Sequence, residues 1–150
     1  MINHDVPETS YKADSEICDR YISFSSELLR LSLIAIGGYG TLVTIFLKGN
    51  APALAAFRSS WGLFISVLLF SACAGSTLIH RFFASDSMAW YLSYLRAIIN
   101  SNPDKEKREL KGFYKTLNIS RWALIAAEGF FGAAVVAFIW GFYQLLFLQA

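Results

Sequence analysis

Residues 129–150 read GFFGAAVVAFIWGFYQLLFLQA, 22 positions without one charged side chain. From Phe130 to Phe142 every side of a helix would be apolar or small, whereas a helix at the surface of a soluble domain keeps a polar face. A helix rises ~1.5 Å per residue, so ~17–25 apolar residues cross a hydrocarbon core ~30 Å thick. The stretch reads as the core of a membrane span, expected over 122–148.

Working backwards, Arg58 and Arg81 enclose 22 uncharged residues, Ser59 to His80, with Val67-Leu68-Leu69-Phe70 at their centre. Arg30 and Lys48 enclose 17 more, Leu31 to Leu47, diluted by Ser32, Gly37, Gly38, Gly40, Thr41 and Thr44. The expected fold is an all-α membrane protein with three transmembrane helices. Composition agrees: 55% of the 150 residues are hydrophobic and 16% charged, against about 45–50% and about 25% in an average soluble domain. Three Pro, two Cys and a net charge of +2 exclude disordered, collagen-like and disulfide-rich secreted chains.

The segments between the spans have readings of their own. Residues 1–14 mix charges, Pro7 and hydroxyls without period and are expected as a mobile tail. Asp14 and Ser15 suit the N-cap of a helix over 15–47 that runs into the first span, with Ile17, Tyr21, Phe24 and Leu28 at helical spacing. Gly49-Asn50-Ala51-Pro52 is a compact turn signal, followed by the second span over 53–81. Residues 85–119 are expected as a cytoplasmic helical hairpin between the second and third spans. Asp86 would cap a helix striped by Met88, Tyr91, Leu92, Leu95, Ile98 and Ile99. Asn102 and Pro103 would start another, striped by Leu110, Phe113, Tyr114 and Leu117. Those stripes can pack on each other, on the N-terminal helix or on the same region of another subunit, or offer a groove to a cytoplasmic protein partner or a lipid surface.

Residues 1–27 carry six acids before any apolar run, which is not the pattern of a cleavable signal peptide. Lys and Arg number 11 on the side shared by the N-terminal segment and residues 81–121, and two on the other. The positive-inside rule then makes the N-terminus cytoplasmic and the end of the third span periplasmic. The same rule and anionic lipid account for the basic excess of the long segment, so nucleic acid is not an expected partner.

Catalytic and metal chemistry find no foothold. The two His (His4, His80) and two Cys (Cys18, Cys73) have no ligand spacing, and no glycine-rich phosphate loop is present. No cofactor and no enzyme activity are expected. Asn118-Ile119-Ser120 matches a glycosylation sequon on the cytoplasmic side, where it would stay unmodified.

The spans hold pairs of small residues four apart: Gly37 with Thr41, Gly40 with Thr44, Gly62 with Ser66, and Ser71 with Gly75. Lipid gives helices no hydrophobic drive to associate, so close backbone approach and hydroxyl hydrogen bonds must supply it. These pairs can pack one three-helix subunit or join several, and both readings stay open. Glu128 is an acid at the edge of the third apolar segment. It can snorkel to water, pair with Arg30, His80 or Arg81, or line the inner mouth of a pore.

Arg20-Tyr21-Ile22-Ser23-Phe24-Ser25-Ser26-Glu27-Leu28-Leu29-Arg30-Leu31-Ser32-Leu33, followed by Gly37-Gly38-Tyr39-Gly40, resembles the start of small bacterial multi-pass membrane proteins. Some of these are membrane effectors of antiphage systems. The resemblance covers about a fifth of the chain and names no catalytic residue. It implies an oligomeric, non-enzymatic protein of the inner membrane that forms a pore or otherwise perturbs the bilayer on a partner's signal. The third span departs from the two-span effectors of this kind. A structural or accessory subunit of a larger membrane complex is the alternative.

Overall fold

The computed structural model describes residues 6–48 and 60–147. They form three long helices: α1 (Lys12–Lys48), α2 (Trp61–Ile99) and α3 (Pro103–Phe147), preceded by a 3-10 turn at Glu8–Ser10. The expected turn at 49–52, the start of the second span before Ser60 and residue 148 lie outside the described residues. The helices have 37, 39 and 45 residues, or roughly 55–70 Å at the usual rise. Each contains a stretch long and apolar enough to cross a membrane. By length and composition, these are the helices of a multi-pass membrane protein.

The helix boundaries differ from the sequence expectation at two places. α1 begins at Lys12, so Asp14 sits in its first turn instead of capping it. No separate hairpin lies between the second and third spans: residues 85–119 are the end of α2, a turn and the beginning of α3. Asp86 does not start a new helix because its neighbourhood lacks Gly and Pro and its carboxylate is otherwise engaged. It accepts a hydrogen bond from Trp90 Nε1 at 3.1 Å. Ser87 Oγ, one residue on, donates to the Ala84 carbonyl at 2.7 Å.

The turn between α2 and α3 is well specified. Asn102 N–H donates to the Ala97 carbonyl at 3.0 Å, and Ser101 N–H to the Ile98 carbonyl at 2.9 Å. This is a Schellman closure. It needs a left-handed residue, and Ser101 takes that role with φ 49°. Asn102 then caps α3, its Oδ1 accepting from Lys105 N–H at 3.1 Å, with Pro103 as the first helical residue.

The chain divides into two compact units. One combines the start of α1, through Ser26, with Leu78–Leu124; the other combines Glu27–Thr77 with the chain from Ile125. In the second unit α2 and α3 touch backbone to backbone. A Cβ on Gly62 would lie 2.7 Å from Gly141 Cα, and one on Gly141 would lie 2.5 Å from Leu63 N. Ser60 Oγ donates to the Gly141 carbonyl at 3.2 Å across the same contact, and Phe70 meets Phe131 edge-on nearby. Outward stand Leu33, Ile34, Phe64, Leu68, Val136 and Ile139, all exposed. Such a surface is costly in water and suits lipid.

Most buried positions of the first unit are small or polar, among them Ala84, Ser87, Ala97, Glu109, Thr116 and Ser120, with the large apolar Leu124 an exception. The expected stripe of α3 is therefore displaced, with Tyr114 and Leu117 exposed and Glu109 and Thr116 turned inward. Close packing explains it, since the Trp90 ring would lie 2.5 Å from a Cβ on Gly112.

Two stability outcomes follow from these contacts. Gly141→Val forces backbone apart and should cost about 1–3 kcal/mol, lowering the melting temperature in detergent, whereas Gly75→Ala, with open space around it, should not lower it and should raise it slightly through helix propensity. Ser101→Gly removes the strain of a left-handed Cβ and should stabilise the chain by about 0.5–1 kcal/mol, net of the entropy glycine adds to the unfolded state.

Candidate functional site

The first unit carries a half-open groove of about 350 Å³ among α1, α2 and α3. Its walls are Ile17, Tyr21, Met88, Phe113 and Leu117. Ile17 and Tyr21 come to it because they share one face of α1 with Asp14 and Cys18, at positions i, i+3, i+4 and i+7. Both remain more than half exposed, so no other described residue fills this apolar face.

The polar groups of the groove lie at two levels. Asp14 and Tyr91 meet where Tyr91 Oη donates to Asp14 Oδ2 at 2.9 Å. Tyr91 in turn lies against Phe113, with ring centroids 5.3 Å apart. Eleven residues earlier on α2, or roughly 16 Å along the helix, His80 lines the groove with 3% of its surface exposed. Its Nδ1 is 2.9 Å from Ser120 Oγ and 3.0 Å from the Ser120 carbonyl. The ring nitrogen either accepts from the hydroxyl or donates to the carbonyl. Nε2 is buried and has no hydrogen-bond partner in either arrangement.

Ser32 Oγ is also buried without a partner. A serine hydroxyl on a helix has its own preceding carbonyls within a χ1 rotation; an imidazole has no such recourse. His80 is thus the more telling of the two. Cys18 is half-buried and its thiol points to the Ala84 carbonyl at 3.8 Å, while Cys73 is fully buried. Burial, and secondarily the charge of Asp19, push the Cys18 thiol above its ordinary value.

The sequence candidates do not gather at one place. Arg30 lies 4.0 Å from Glu27 on its own helix, and both side chains are exposed. His80 pairs with Ser120, as above, and Arg81 is half-buried. Glu128 is exposed, and no ion pair joins it to another described residue. Among the described residues no three His, Cys, Asp or Glu side chains come together as metal ligands.

The small-residue positions separate into two kinds. Gly62 is locked against Gly141, and Ser66 Oγ donates to the Leu63 carbonyl at 2.7 Å. Gly37, Gly40 and Gly75 have nothing within 4 Å of a would-be Cβ. Thr41 and Thr44 bond the carbonyls of Gly37 and Gly40 at 3.1 and 3.0 Å.

Sequence reasoning missed the groove residues Asp14, Cys18 and Tyr91, and the buried Glu109, which lies 3.0 Å from Arg108. The shared helical face of Asp14, Ile17, Cys18 and Tyr21 was the available signal. The chain matches no family model, and no curated protein and no solved structure is significantly similar to it.

The hydrogen bond to Asp14, then burial, hold the Tyr91 phenol above its ordinary value of 10.0. The fold favours the neutral phenol, so its stabilisation is intact below about pH 10 and is lost as pH climbs through the raised value. Asp14→Asn should lower the ionisation midpoint of one tyrosine in an alkaline absorbance titration. Tyr91→Phe should reduce the loss of stability above about pH 10.

Proposed function

We infer that this chain is a non-enzymatic multi-pass protein of the bacterial inner membrane that self-associates and perturbs the bilayer, as a pore or a related lesion. The observation that carries the reading is the open face of the first span. Gly37, Gly40, Thr41 and Thr44 form small-xxx-small pairs, and no described residue lies within 4 Å of a would-be Cβ on either glycine. Their hydroxyl neighbours are already bonded to their own helix, so they ask nothing polar of lipid. A face this smooth gains little from lipid but lets another helix approach closely.

The orientation rests on charge. Eleven Lys and Arg on one side against two on the other favour a cytoplasmic N-terminus, with residues 81–121 on the same side. The defence role rests on the resemblance of residues 20–40 to antiphage membrane effectors. In a pore, Glu128, exposed at the start of the third apolar segment, would stand at the inner mouth and draw cations. The open first-span face would serve an accessory subunit equally well, with a different protein's helix as its partner.

Native mass of the purified protein in detergent, with ion flux through reconstituted vesicles, separates these readings. Self-association predicts a mass of several subunits that falls when Gly40 is replaced by Leu, while helix content and melting of the subunit persist. Flux should then fall with Glu128→Gln at unchanged mass. A monomer that conducts nothing would overturn the reading in favour of an accessory subunit.

A further inference from the structure

The groove of the first unit has the size of a small-molecule site, and its polar groups are incompletely used. Asp14 stands exposed at one end, its carboxylate accepting from a neutral phenol, and no ion pair joins it to another described residue. One aromatic ring meets it directly, Tyr91, with Phe113 against Tyr91 and Tyr21 lining the groove two turns further along the same face of α1. Beyond them the walls are apolar, through Ile17, Met88 and Leu117. The far end holds His80, whose Nε2 is buried and unsatisfied.

We propose that this groove binds a small lipophilic amine, its ammonium on Asp14 and its apolar body along Ile17, Met88 and Leu117. The chemistry selects that class. An anion would meet the Asp14 carboxylate, and an uncharged hydrocarbon would leave it unused. An ammonium gains a charge-assisted hydrogen bond to the carboxylate and a cation–π contact with the neighbouring rings. Among the described residues none covers the apolar part, where Ile17 and Tyr21 remain more than half exposed. The inference stands whether or not copies of the chain associate, because every group it uses lies in one unit of one subunit.

Cys18 lines the groove and Cys73 is fully buried, so alkylation of Cys18 by N-ethylmaleimide, read by peptide mass, reports occupancy. The probes are 4-phenylbutylamine and its uncharged counterpart 4-phenylbutanol, added to the full-length protein in detergent. The amine should slow alkylation of Cys18 at concentrations where the alcohol does not. Asp14→Asn should weaken the amine's protection by roughly 10–100-fold, the range of one hydrogen bond to a charged group, without altering protection by the alcohol. Leu117→Trp, which fills the groove from α3, should abolish protection by the amine. Circular dichroism of each variant keeps misfolding separate from lost binding. Equal protection by amine and alcohol, or protection indifferent to Asp14→Asn in a folded protein, would overturn the proposal. So would the absence of any protection.

Discussion

In hydrocarbon no water is present to satisfy a backbone N–H or C=O, so each must be satisfied within the protein. Most of what is distinctive in this chain follows from that constraint. The helices are continuous and extend well past the length needed to span. The hydroxyls of Thr41, Thr44, Ser66, Ser71 and Thr77 all donate to carbonyls of their own helix. The one reversal among the described residues comes at Asn100–Asn102, where every signal is polar and local.

With the backbone closed on itself, contact between helices falls to shape. α2 and α3 meet where Gly62 faces Gly141, and Trp90 lies over Gly112 in the other unit. At both sites the glycine serves by lacking a side chain, with no special backbone angle required. The glycines of the first span sit in the same pattern with no described residue within 4 Å of a would-be Cβ, so one small-xxx-small pattern has two physical meanings in one chain.

Charge placement makes the spans legible in the sequence, because Arg30, Lys48, Arg58 and Arg81 mark the borders of apolar stretches too long for anything else. Asn102 and Pro103 are equally legible, since capping is a local matter. The rest depends on side-chain contacts that capping rules and periodicity do not report. Asp86 reads as a cap until Trp90 is seen to occupy its carboxylate. The stripe Leu110, Phe113, Tyr114, Leu117 reads as a core until Gly112 brings α3 close to Trp90 and rolls Glu109 and Thr116 inward. His80 reads as a partner for Glu128, but its bond to Ser120 joins residues 40 apart. The groove itself is an absence of filling side chains, which no periodicity reports.

The central claim is that α1, α2 and α3 each cross the bilayer once, so that the two ends of the second span face opposite sides. Single cysteines at Lys48 and Ser101, in a background with Cys18 and Cys73 replaced by Ser, test this directly with a membrane-impermeant maleimide applied to intact spheroplasts. Both positions are exposed on the helix ends or turn they occupy. The account predicts labelling at position 48 and none at 101 until the membrane is permeabilised. Labelling of both from outside, or of neither until the membrane is permeabilised, would contradict it, whereas labelling of 101 alone would keep the three crossings and reverse their orientation.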